Sequence, residues 1–130
     1  MVSSLSGSSP ALIGRAHALV IEASRAGDPG QRFLLAHLSA LRTAAALLAA
    51  AGGRPPRRPT SAWTLLADAE PSFADRAVQF AAGAQLRALV EAGVSNAVAH
   101  SRADAEVSSA VAFLVEAEQF LGMSPVLLAG

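Results

Sequence analysis

The chain has 130 residues; ten arginines and no lysine balance ten acidic side chains, and there is no cysteine. The charge balance excludes a global field drawing the protein toward nucleic acid or anionic lipid, and the missing thiols exclude disulfides, thiol catalysis and cysteine-based zinc sites. The length suits one domain with a sizeable core; no stretch reaches the roughly 18 uninterrupted apolar residues of a membrane span, so no membrane partner is expected.

Residues 1–8 are rich in Ser and Gly and read as a disordered start, 9–122 as a helical bundle and 123–130 as a tail. Ser3 to Ser9 lacks the basic and apolar regions of a secretory signal, which points to the cytoplasm. Ser9 followed by Pro10 reads as an N-cap with proline at the first helical position, opening a helix to about Arg25 with Leu12, Ala16, Leu19 and Ala23 inward. Gly27-Asp28-Pro29-Gly30 turns the chain.

Gln31 to Ala51 is then the central helix, built from Ala, Leu, Arg and Gln without an internal Gly or Pro. Leu34, Leu38, Leu41, Ala45 and Leu48 follow the rhythm of a core-facing stripe. On the opposite side Arg32, Ala36, Ser39, Thr43, Ala46 and Ala50 form a small-residue face, open to close helix approach or weakly polar. A helix with so little charge is expected to be enclosed by others.

The stretch GGRPPRRPT, 52–60, is a stiff connector. Its Pro56-x-x-Pro59 spacing matches a ligand for proline-reading modules, and Arg54, Arg57 and Arg58 form the one local basic cluster. With Arg42 these arginines are the candidate contacts for an anion or nucleic acid. Thr60 or Ser61 caps a short helix in which Trp63 anchors the core. Ser72 and Asp75 resemble a capping box for a helix reaching about Ala92, with Phe73, Ala77, Phe80, Ala84 and Ala88 on one face. Ser101 and Asp104 repeat that start for the last helix, whose inward positions are Ala103, Val107, Ala110, Leu114, Ala117 and Leu121. Arg102 and Glu106 read as a surface i, i+4 pair, and Arg76 and Arg87 as exposed.

The three histidines show no metal-ligand spacing and no phosphate-binding loop is present, so neither a metal nor another cofactor is expected. No carboxylate lies between Asp28 and Asp68, and a buried His37 would need a partner from another helix or a backbone carbonyl.

The order QRFLLAHLSALRTAAALLAA, Arg/Pro connector, SAWTLLA, AVQFAAGA and AEVSSAVAFLVEAEQFLG resembles small HEPN-domain proteins of high-GC bacteria over roughly residues 10–122. That resemblance implies an all-α, up-and-down bundle of four to five helices, commonly a homodimer. Active HEPN members are metal-independent endoribonucleases, often toxins of toxin-antitoxin pairs, that use an Arg-x4-6-His motif at the dimer cleft; others are non-catalytic modules that bind RNA or a protein partner. Arg32 and His37, four residues apart in RFLLAH, match the spacing. Under that reading His37 is general acid or base and Arg32 holds the phosphate. The match departs from the active pattern, because Phe33 follows the arginine and the pair opens the second helix rather than a late one. On a helix the two side chains diverge by about 140°. The alternative reading of the same residues is a boundary histidine bonded to a neighbouring helix and a solvated first-turn arginine. A non-catalytic interaction domain is therefore the first expectation and a ribonuclease the second. A purely structural subunit is the third, and it calls for an exposed apolar face on the central or last helix.

Overall fold

The computed structural model describes residues 8–53 and 56–123, and among them every regular element is a helix. The elements are α1 (Ser9–Arg25), α2 (Pro29–Ala51), α3 (Ala62–Ala69), a 3₁₀ turn (Pro71–Phe73), α4 (Ala74–Ala81), α5 (Ala84–Glu91) and α6 (His100–Phe120). The all-α bundle expected from the resemblance is present. The proposed disordered start and the tail lie mostly outside the described residues.

Local chemistry sets the ends. The Ser8 hydroxyl, one residue earlier than expected, accepts from the Ala11 N–H and caps α1. This releases Ser9, whose hydroxyl donates to the Ala46 carbonyl across the hairpin at 2.7 Å. The Asp28 carboxylate caps α2 through the Gln31 N–H, with Pro29 at the first helical position. Ser61 caps α3 as expected. Neither of the two anticipated capping boxes forms. Ser72 lies in the 3₁₀ turn, and α6 starts at His100 behind an Ala99 cap, which leaves Asp104 free to bond elsewhere. Gly93 and Gly122 end α5 and α6 with φ of 80° and 70°, the left-handed conformation in which a side chain is strained.

The long helices do not bury the faces their leucines suggest. On α2 the enclosed residues are Phe33, Ala36, His37, Ser39, Ala40, Thr43, Ala44, Ala46 and Leu47, whereas Leu34, Leu38, Leu41, Ala45 and Leu48 remain half-buried. The reason is backbone approach: Ser39 meets the Ala16 carbonyl and the Ala46 carbonyl meets Ser9 of α1, and small side chains at these positions allow that contact. Their hydroxyls stay satisfied, with Ser39 donating to the Ala16 carbonyl and Thr43 to the Ser39 carbonyl. On α1 the inward set is Ile13, Ala16, His17, Val20 and Ala23, so Leu12 and Leu19 move to the boundary.

The core is completed by an aromatic cluster. Trp63, buried as expected, stacks on Phe80 at 5.3 Å, and Phe80 lies 5.3 Å from Phe113, which in turn meets Phe73. Full burial of one such ring contributes roughly 2–3 kcal/mol. The single helix expected over 72–92 is broken at Ala82 and Gly83, which explains why Ala84 and Ala88 are exposed rather than inward. Gly83 is buried, and a Cβ built there would lie 3.2 Å from the Phe33 ring. The helix that contains α2 is long and apolar enough to cross a membrane by length and composition, yet half of its most apolar window is enclosed by the domain.

Candidate functional site

The Arg-x4-His pair begins from α2. Its third and fourth turns are fixed against α1 by the small-residue contact, so its first two turns present Phe33 and His37 toward α6. His37 is only 1% exposed. Its ring stacks on Phe33 at 5.8 Å and meets Trp63 and Phe80 edge-on at 6.0 and 6.5 Å. The polar requirement is met by α6: the His37 Nδ1–H donates to Glu106 Oε2 at 3.0 Å, and Glu106 is itself 3% exposed.

Glu106 is held from its other side. Arg102, one turn earlier on α6, donates to Glu106 Oε1 at 2.7 Å and lies 5.0 Å above the Phe33 ring. The expected i, i+4 pair is therefore real, but its acid is interior and bridges an arginine to a histidine. A carboxylate oriented on one ring nitrogen is the arrangement that fixes the tautomer of a catalytic imidazole. Here that imidazole is surrounded by the rings of Phe33, Trp63 and Phe80.

Arg32 leaves the helix in another direction. Its Nε–H donates to the Ala26 carbonyl at the end of α1 at 3.0 Å, and its guanidinium pairs with Asp104 on α6. It is half-buried rather than a solvated first-turn residue. Arg32 and His37 thus each clamp the start of α2 to the start of α6, through acids two residues apart, and share no cleft.

A second histidine follows the same logic. His17 Nε2–H of α1 donates to Glu118 Oε2 of α6 at 3.0 Å, with both residues buried. His100 instead lines an open cleft of about 660 Å³ between the first turns of α2 and α6, with Asp28, Gln31, Val90 and Asn96. Among the described residues no group of three His, Cys, Asp or Glu is placed to hold a metal ion.

The arginines proposed for anion contact do not converge. Arg57 and Arg58 are exposed on the connector, and Arg54 lies outside the described residues. Arg42 sits nine residues before the end of α2, about 14 Å along the axis, in a groove with Arg15, Ala18, Leu19 and Leu38. Arg76, expected in solvent, makes a bidentate pair with Glu116 at 2.9 and 2.7 Å, which raises its pKa above the ordinary arginine value.

The pairing of Glu106, Glu118 and Asp104 with His37, His17 and Arg32 is not evident from the sequence pattern. Two of these acids could still have been found, because Glu106 falls between Ala103 and Ala110 on the inward stripe of α6 and Glu118 one turn after Leu114. An acid on a core stripe demands a buried partner.

Compared with known families, residues 23–118 match the model described as HEPN_SAV_6107-like HEPN. No curated protein and no solved structure matches the chain significantly.

Proposed function

The chain belongs to the HEPN_SAV_6107-like HEPN family, and we propose that its role there is non-catalytic: a cytoplasmic, homodimeric interaction domain that docks a protein partner or RNA. The observation that carries this reading is the enclosure of His37, whose ring is 1% exposed among Phe33, Trp63 and Phe80 and bonded to Glu106. A general acid or base has to come within hydrogen-bond reach of the proton it moves, and an imidazole walled in by three aromatic rings has no such approach to a ribose hydroxyl. Arg32 supports the same reading, because its guanidinium is already engaged by Asp104 and the Ala26 carbonyl. A docking role draws support from cations without an acidic partner: Arg42, Arg57 and Arg58 are among the arginines that make no ion pair among the described residues.

The test is incubation of the purified full chain with total RNA in EDTA, alongside Arg32→Ala, chosen because this position is only half-buried and the variant should fold. The expected result is intact RNA with both proteins. Cleavage that persists in EDTA and is lost in Arg32→Ala, with helix content unchanged by circular dichroism, would overturn the proposal and establish the metal-independent endoribonuclease instead.

A further inference from the structure

We propose that the outer face of the α1/α2 hairpin, the side turned away from α6, is where a second copy of this chain docks, its α1 antiparallel to this one. The inference rests on the homodimer reading above and adds the surface to it.

The first ground is the leucine stripe that the fold only half covers. Leu34, Leu38 and Ala45 of α2 are half-buried, and Leu19 of α1 faces Leu38 across the seam. With Arg15, Ala18 and Arg42 these two leucines line an open groove of about 270 Å³. Covering such a stripe gains roughly 25 cal/mol for each Å² of apolar area removed from water.

The second ground is the placement of charge. Arg15, Glu22 and Arg42 make no ion pair among the described residues. Arg15 and Glu22 are seven residues apart on α1, two helical turns, so they share a face to within about 20°. Ala18 and Leu19 lie midway between them. A two-fold axis crossing α1 at that midpoint sets Arg15 against Glu22 of the second copy and Glu22 against its Arg15, as an isologous contact requires. Arg42 shares the groove with Arg15 and therefore faces the same carboxylate. The small Ala18 at the crossing lets the two helices approach closely.

Other occupants fit less well. A parallel pairing stacks Arg15 and Arg42 on their own copies. An acidic helix or an RNA strand satisfies the arginines but brings like charge to Glu22. The size reaches the lower bound: α1 is 17 residues long, about 25 Å, and two helices are roughly 20 Å wide, a strip of about 500 Å² on each partner, where specific interfaces begin at about 1,000 Å² in total.

The experiment is sedimentation velocity over a concentration series with the full chain, Arg15→Glu, Glu22→Arg and the double exchange, each checked for unchanged helix content. Both single variants place like charges across the axis, and their dissociation constants should rise about tenfold or more; the double exchange restores the pairing and should return to within about threefold of wild type. A wild-type dimer whose constant is unmoved by the single variants, or a double exchange no better than either, would overturn this surface while leaving the homodimer reading intact. A wild type that stays monomeric throughout would overturn both. A monomer that binds RNA and loses it in Arg15→Glu would also overturn both and assign the groove to nucleic acid.

Discussion

His17 and Glu118 hydrogen-bond at 3.0 Å across 101 residues of sequence, and both are buried. Ser39 bonds to the Ala16 carbonyl, so His17 and His37 sit at nearly the same level of the antiparallel hairpin. Their partners on α6, Glu118 and Glu106, are nevertheless twelve residues apart, roughly 18 Å along the axis. The last helix therefore lies obliquely over the hairpin and is pinned near each end by a histidine-carboxylate bond.

Removing one member of such a pair takes a buried hydrogen bond from the other. His17→Leu and Glu118→Leu should each destabilise the protein by about 2–4 kcal/mol in urea melts, while the double variant should cost clearly less than the sum, because neither residue is then left facing the loss of the other. Additive costs would show that the pair does not act as a unit.

Arg102 has two tasks at once, donating to Glu106 and covering the Phe33 ring. Arg102→Ala should cost about 1–2 kcal/mol in the same melts, and Arg102→Lys should recover less than half of it, since a point charge cannot both reach the carboxylate and lie flat over a ring. Full recovery by lysine would reduce the contribution to charge alone.

Several helix ends were legible from the chain because proline, glycine and serine punctuate it at Pro29, Ser61 and Gly93, where the physics of ends is local, whereas the break at Ala82 and Gly83 was not. Nor was the direction of α2. With apolar residues all around, its wheel offers two candidate core faces, and counting leucines picks the larger side chains. Ser39 and Ala46 win because α1 is equally small at Ala16 and Ser9, where it meets them, and that complementarity is visible only when the two helices are considered together. The polar centre was half legible: a buried His37 needs a partner, and Glu106 and Glu118 lie beside the stripe assigned to the core, each one residue from a member of it. Reading Arg102 and Glu106 as a solvated pair hid the connection.

Glu116 raises the Arg76 pKa, chiefly through their hydrogen bonds. A cation whose pKa is higher in the folded state contributes fully below its unfolded pKa and loses that contribution only as pH climbs through the folded one, at the alkaline limit of arginine titration. Glu116→Gln should therefore cost the same at pH 7 and pH 10. The pair is partly exposed, so that cost should be no more than about 1 kcal/mol, shrinking with added salt. A cost that fell sharply by pH 10 would assign the effect to another group.

Gly83 offers the sharpest check on the packing around His37. Its φ of −86° is open to any residue, and replacing glycine by alanine at such a site ordinarily stabilises by about 0.4–1 kcal/mol through the unfolded chain. The added methyl, however, would lie 3.2 Å from Phe33 Cζ and 3.4 Å from His37 Nδ1. Phe33 is fully buried and has Arg102 over its face, so neither ring can yield freely. Gly83→Ala should thus destabilise by about 1–2 kcal/mol and shift the His37 imidazole resonances in NMR spectra. A stabilised variant with unmoved resonances would mean that space exists beside His37 and that the imidazole is not enclosed.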